Sequence, residues 1–218
     1  MNVRLLQLAS PSLPVGAYSY SQGLESAVEA GLVRDVAGAS RWIGEVLALS
    51  VAAMEAPVLA RLMGAWKRGD VETVRRWNEE FLASRETAEL RAETAQMGYS
   101  LRRLLADLEV ATGPLEGLDE IAYPTAFAYA VAAWKLEPRD ALATYLFAWI
   151  ENQVLAAVKC VPLGQTDGQR LLLALGGRIA SIVEGAFTVD DDGMTNFAPG
   201  LAILSARHET QYSRIFRS

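Results

Sequence analysis

Catalytic and metal-binding chemistry in proteins leans on histidine, cysteine and converging carboxylates, and the first two are nearly absent here. His208 is the only histidine and Cys160 the only cysteine among 218 residues. A serine nucleophile would want a nearby base, and the one imidazole lies among the last residues of the chain. One imidazole and one thiol argue against a tight intrachain nickel-type site, leaving open a site shared across a dimer through two copies of His208 or Cys160. Asp190-Asp191-Asp192-Gly193 has its acids consecutive, whereas a calcium loop alternates them, so a surface turn is expected. Gly164 and Gly168 are not followed by Gly-Lys-Ser/Thr, so no phosphate loop is expected there. Carboxylates are plentiful enough to pair by chance, but no local pattern places two in catalytic roles. The expectation is a non-enzyme that works by contact.

Three segments carry features that helix packing alone does not require. Residues 8–25 contain Pro11 and Pro14, which favour extended backbone. Gly16 and Gly23 allow positive φ or close approach, and Tyr18 and Tyr20 lie between them. Such a loop either packs the first helices together or presents its tyrosines. Residues 158–169 place Lys159 after a long apolar run. A cation there complements the helix dipole, or serves as a charge shown to a partner or its nucleotide. Residues 205–218 stay dense in Arg207, Arg214, Arg217, Tyr212 and Phe216. Arginine and tyrosine dominate interface hot spots, and this basic end belongs to an acidic chain. Arg85 through Glu93 alternates charge and reads mainly as an exposed helical face with i,i+4 pairing.

The elements that must position these segments read as helices. Val71, Val74, Trp77 and Phe81 share one helical face, with Asp70 as cap. Leu101, Leu104, Leu105 and Leu108 form a second stripe, ended by Thr112-Gly113-Pro114. Leu171, Leu175, Ile179 and Val183 form a third, and Trp42 to Met54 a fourth that resumes beyond Pro57. Tyr123-Pro124 suits a helix entry, and Glu137-Pro138 separates two helices. Residues 141–158 are apolar nearly all round and belong at the centre of the bundle. The expected fold is all-α, one domain over 1–218 with about nine or ten helices, in which 205–218 forms a partner-binding or dimer-ordering tail. With 20 Lys+Arg against 26 Asp+Glu the net charge is −6, which argues against a broad nucleic-acid-binding face. Met1–Leu8 is too short for a secretory leader, no membrane anchor is expected, and a lone cysteine suits a reducing cytoplasm.

Four stretches together resemble the UreF family of urease accessory proteins. They are Leu-Pro-Val-Gly-Ala-Tyr-Ser-Tyr-Ser-Gln-Gly-Leu-Glu (13–25), Arg-Glu-Thr-Ala-Glu-Leu-Arg (85–91), Val-Lys-Cys-Val-Pro-Leu-Gly-Gln (158–165) and Arg-His-Glu-Thr-Gln-Tyr-Ser-Arg-Ile-Phe-Arg-Ser (207–218). The resemblance implies an all-helical homodimer that assists nickel insertion into apo-urease. It would bridge a UreD-type protein, called UreH in some organisms, and the nickel-binding GTPase UreG, and would modulate GTP-dependent activation. Nickel and GTP would be handled by those partners, with no cofactor bound directly; a dimer that holds nickel itself is the alternative. The resemblance further implies partner contacts at Tyr18, Tyr20, Glu25 and Lys159, and at Gly164 and Gln165. In the tail it implies them at Arg207, His208, Glu209 and Gln211, then Tyr212, Arg214, Phe216 and Arg217. Cys160 receives no metal role.

Overall fold

In the computed structural model, which describes residues 2–218, helices follow one another from α1 (Val3–Ala9) and α2 (Leu24–Glu29) to a long α3 (Val36–Arg68). Then come α4 (Val71–Ala83), α5 (Ala88–Asp107), α6 (Tyr123–Ala133) and α7 (Pro138–Cys160). The last three are α8 (Gln165–Gly176), α9 (Ile179–Thr188) and α10 (Pro199–His208). Apart from the single turn Gly113–Glu116 and two short 3-10 turns, these ten helices among the described residues make an all-α fold, as the sequence periodicity predicts. The boundaries follow local chemistry. The Asp35, Asp70 and Thr87 side chains accept from backbone N–H groups in the first turns of α3, α4 and α5. Prolines 124, 138 and 199 occupy first-turn positions of α6, α7 and α10.

Helix α7 is the axis. Its buried residues include Ala141, Leu142, Leu146, Ile150, Val154 and Ala157, and it packs against α1, α2, α3, α8 and α9. One hydrophobic cluster runs from Leu8 to Phe216. Helices α5 and α6 meet so closely at Gly98 that a Cβ there would lie 2.0 Å from the Ile121 carbonyl oxygen. Asn78, buried on α4, locks the same corner: its amide donates to the Glu120 carbonyl and its oxygen accepts from Ala122 N–H and the Thr125 hydroxyl.

The helix continues through Pro57, where the backbone widens instead of stopping. Residues Leu47–Glu55 form π-helical turns within α3. Proline lacks an N–H and its ring crowds the carbonyl four residues earlier. That carbonyl, on Ala53, accepts from Thr195 N–H at 3.1 Å. The freed acceptor is satisfied from outside the helix, and the altered register turns Glu55 into the interior, where it is 6% exposed.

Three helical stretches have the length and hydropathy of membrane spans, and the fold uses them differently. In Val36–Arg68 and Pro138–Cys160, 67% and 61% of the apolar window is buried inside the protein; in Gln165–Thr188 only 22% is. Asp191–Gly193 is a surface 3-10 turn, as expected for the consecutive acids, with Asp191 paired to Arg61 at 3.1 Å and to Arg76 at 3.5 Å. Gly98→Ala should be the severest single-methyl change in the protein, since the obstacle is backbone. We expect a loss of about 3 kcal/mol, read as a lowered urea midpoint with the far-UV spectrum of any folded fraction preserved.

Candidate functional site

The four stretches singled out in the sequence converge on one place, organised by the buried carboxylate of Glu25. Gly23, at φ 75°, starts α2 in the left-handed region. A Cβ at that residue would come within 3.2 Å of the Leu201 side chain and 3.5 Å of Ser205 N, so glycine also lets α10 approach. This brings Glu25 beneath the tail. Its oxygens accept from Ile215 N–H at 2.7 Å and Phe216 N–H at 2.9 Å. His208 Nε2 lies 3.3 Å from the same carboxylate, and His208 Nδ1 lies 2.7 Å from Glu89 on α5. Glu89 also receives Arg214 Nη1 at 2.8 Å, while Arg214 Nε and Nη2 donate to the carbonyls of Gln211 and Glu209. The Glu209 side chain accepts from Ala88 N–H at the start of α5, and the Gln211 side-chain oxygen accepts from the Ser26 hydroxyl.

Residues 215–218 continue this docking, and exposure alternates along them: Ile215 and Arg217 face outward, while Phe216 and Ser218 are 5% and 1% exposed. Lys159 Nζ stands 5.3 Å above the Phe216 ring, a cation–π contact joining the end of α7 to the tail. Arg217 N–H donates to Ser19, and the Ser218 carbonyl accepts from both the N–H and the hydroxyl of Ser21.

Beside the hub lies a cavity of about 70 Å³, lined in part by Tyr18, Gln22, Glu55, Arg85, Glu93 and Trp149. Trp149 Nε1 donates to the Gln22 side-chain oxygen at 2.9 Å, and Gln22 Nε2 donates to Glu93 at 2.7 Å. The Ser218 hydroxyl donates to the other Glu93 oxygen at 2.9 Å. Across the cavity Glu55 accepts from the Tyr145 hydroxyl and stands 3.5 Å from Arg85 Nη1. Burial pushes the Glu93 carboxyl up to about 7 despite its two donors. The same cause, reinforced by Glu55, drives the Tyr145 hydroxyl far above its ordinary value. Tyr18 donates to Glu151 at 3.2 Å, and burial with that carboxylate raises it as well. Tyr20 is buried and raised by burial, with the Arg217 charge offsetting part of the rise. The Cys160 thiol, half-buried, is raised to about 11 by burial, with Glu25 adding to it. That is an inert cysteine.

The residues expected at contacts thus divide. Glu25, His208 and Phe216 are buried and Arg214 is spent on Glu89, so these hold the tail down. Arg207, Tyr212, Arg217, Gly164 and Gln165 are exposed, Tyr212 fully, and Ile215 joins them at 66%. Both ring nitrogens of His208 face carboxylates and its side chain is 0% exposed, so neither nitrogen is open to a ligand from outside in this arrangement. Of the Arg85–Glu93 stretch, expected to be mainly solvated, Glu86 and Arg91 are exposed, but three charged residues turn inward: the Arg85 side chain is 8% exposed, Glu89 14%, and Glu93 is buried. Sequence reasoning missed Glu55, Arg85, Glu89 and Glu93 as a set. The available signal was the four-residue step from 85 to 89 to 93, aimed at one side.

Replacing Glu25 by alanine should free the tail without unfolding the bundle. One buried and one part-buried backbone N–H lose a charged acceptor, worth about 3 kcal/mol together. Tryptic cleavage after Arg207 and Arg214 should accelerate on the order of a hundredfold while helical ellipticity stays constant.

Comparison with known proteins bears on what this architecture belongs to. Residues 33–176 match the UreF family model, a span that includes the 85–91 and 158–165 stretches. A urease accessory protein UreF from Azoarcus sp. (strain BH72) is 60% identical over 222 residues, covering 99% of this chain and 95% of the relative. Those from Dechloromonas aromatica (strain RCB) and Methylobacillus flagellatus are 56% and 52% identical, again covering 99% of this chain. The likeness therefore extends through the N-terminal loop and the tail, and the chain belongs to the UreF family of urease accessory proteins.

Proposed function

We propose that this chain assists nickel insertion into apo-urease as a cytoplasmic homodimer. In this reading it bridges a UreD/UreH-type accessory protein and the nickel-binding GTPase UreG, and modulates GTP-dependent activation. It transforms no substrate of its own, and nickel and GTP stay with the partners. The observation that carries the reading is the division of labour in the tail. An ordered segment whose inward side chains fix it, and whose outward side chains are Arg207, Tyr212, Ile215 and Arg217, is a preorganised contact surface. Preorganisation lowers the ordering cost of binding. The uncovered apolar side of α8–α9, with Leu173 81% exposed, supplies a second surface of the kind that closes protein interfaces.

Removing 212–218 is a poor test, because it would strip Glu25 and Glu93 of their partners. The double variant Tyr212→Ala, Ile215→Ala changes only outward side chains. It should keep the wild-type melting temperature to within about 2 °C. It should also lose co-purification with the UreD-type protein or with UreG after co-expression. Wild-type recovery of both partners would refute the assignment of the tail. Lys159→Ala should change GTP turnover in the assembled complex, or urease activation, more than it changes folding. If turnover and activation both stay at wild-type levels, Lys159 serves only to pack on Phe216.

A further inference from the structure

Glu93 is a buried carboxyl that ties the tail to the N-terminal loop. One oxygen accepts from Gln22, a residue held in the left-handed region at φ 51°, and the other accepts from the Ser218 hydroxyl. Ser218 is 1% exposed and covers Glu93 from the tail side. Among the described residues no arginine or lysine pairs with Glu93: the Arg85 guanidinium stands against Glu55. An ionised carboxylate in that position has only two neutral donors to replace its hydration, whereas the protonated acid can donate to the Ser218 hydroxyl oxygen while still accepting from Gln22.

We propose that Glu93 is a proton-operated clasp on residues 215–218. Protonated, it holds Ser218 and the Gln22 turn together over the cavity. Ionised, it loosens them, because lifting the tail admits the water that the charge lacks. The device lies within this chain and does not depend on which partner the tail meets.

The sign follows from linkage. Burial raises the carboxyl to about 7 while the tail is docked, against an ordinary value of 4.5 when hydrated. Docking is therefore tightest at the acid end, weakens as pH rises from 4.5 to 7, and levels off above 7. Other groups around Glu93 are Glu55 in the π-helical part of α3, Arg85 before α5 and Tyr145 on α7. Tyr123 on α6, Tyr18 and Tyr20 in the N-terminal loop, and Arg217 in the tail complete the set. The four tyrosines are all raised by burial and stay neutral throughout the window. His208 stands between Glu25 and Glu89 under the same tail, so its own protonation must be separated from that of Glu93.

Hydrogen exchange of the Ser21, Phe216 and Arg217 amides, divided by their intrinsic rates, reads the opening of the tail in the isolated chain. In the wild type, opening should rise by up to about tenfold per pH unit between 4.5 and 7 and then flatten. Glu93→Gln, which mimics the protonated acid, should abolish that component and leave the tail protected at pH 7. Wild-type opening that does not change between pH 4.5 and 7 would overturn the proposal. So would an equal slope in the variant, which would assign the dependence to His208 or another group. If the variant does not fold, side-chain carbon-13 titration of Glu93 in the wild type decides alongside the wild-type slope. A midpoint near 7 supports the clasp and an ordinary glutamate midpoint overturns it.

Discussion

One buried carboxylate, Glu25 on α2, gathers the tail and α10, and α5 joins them through Glu89. A carboxylate withdrawn from water is unfavourable unless donors converge on it, so Glu25 forces a convergence. Its donors come from residues 190 and 191 positions later in the chain, and the imidazole beside it comes from 183 positions later. Because the two strongest contacts are to backbone N–H groups, they fix the path of residues 215 and 216 without consuming a side chain. With the backbone fixed at these two residues, exposure alternates along 215–218. Phe216 is delivered to Lys159 and Ser218 to Glu93, while Ile215 and Arg217 are delivered to the surface. The chemistry of the outer surface is thus set by an interaction that lies entirely beneath it.

What the sequence reveals of this arrangement depends on the range over which each signal acts. Helix positions come from periodic apolar residues and caps, which are local, and so α4 with Asp70 and the entries at Pro124 and Pro138 are legible in the chain itself. The density of arginine and aromatic residues in 205–218 is also local and marks the tail as a contact segment. Orientation is not local. Glu25, His208 and Phe216 read as contact residues by type, yet their partners lie in distant segments and turn them inward. Arg85, Glu89 and Glu93 read as a solvated face because charged residues usually are. The exception arises here because other buried charges and donors meet them: Glu55 for Arg85, His208 and Arg214 for Glu89, Gln22 and Ser218 for Glu93.

Pro57 illustrates the same limit in the backbone. Proline inside a helical pattern argues for a stop, and that inference assumes the displaced carbonyl has nowhere to go. Here Thr195, more than a hundred residues away in sequence, supplies an N–H to Ala53. The helix continues with widened turns, and Glu55 enters the cavity within reach of Tyr145 and Arg85. A feature that looks like a boundary becomes the means by which one of the two cavity carboxylates is placed.

Two outward surfaces result, and they differ in a way that physical chemistry makes meaningful. Around the tail, Arg207 and Arg217 accompany Tyr212 and Ile215, a mixture that gives a contact both buried area and direction. Along α8–α9 the charges are already committed within the chain: Asp167 to Arg170, Glu184 to Arg139, and Arg178 to the Gly44 carbonyl. What remains free there is mostly aliphatic, led by Leu173. Apolar area drives association without selecting orientation, whereas guanidinium and phenol groups select it. A protein proposed to hold two different partners needs both kinds of surface, and it needs them on separate elements. The tail packs on Lys159 at the C-terminal end of α7, and α8 follows from that same end, so one helix terminus positions both surfaces while each keeps its own side chains.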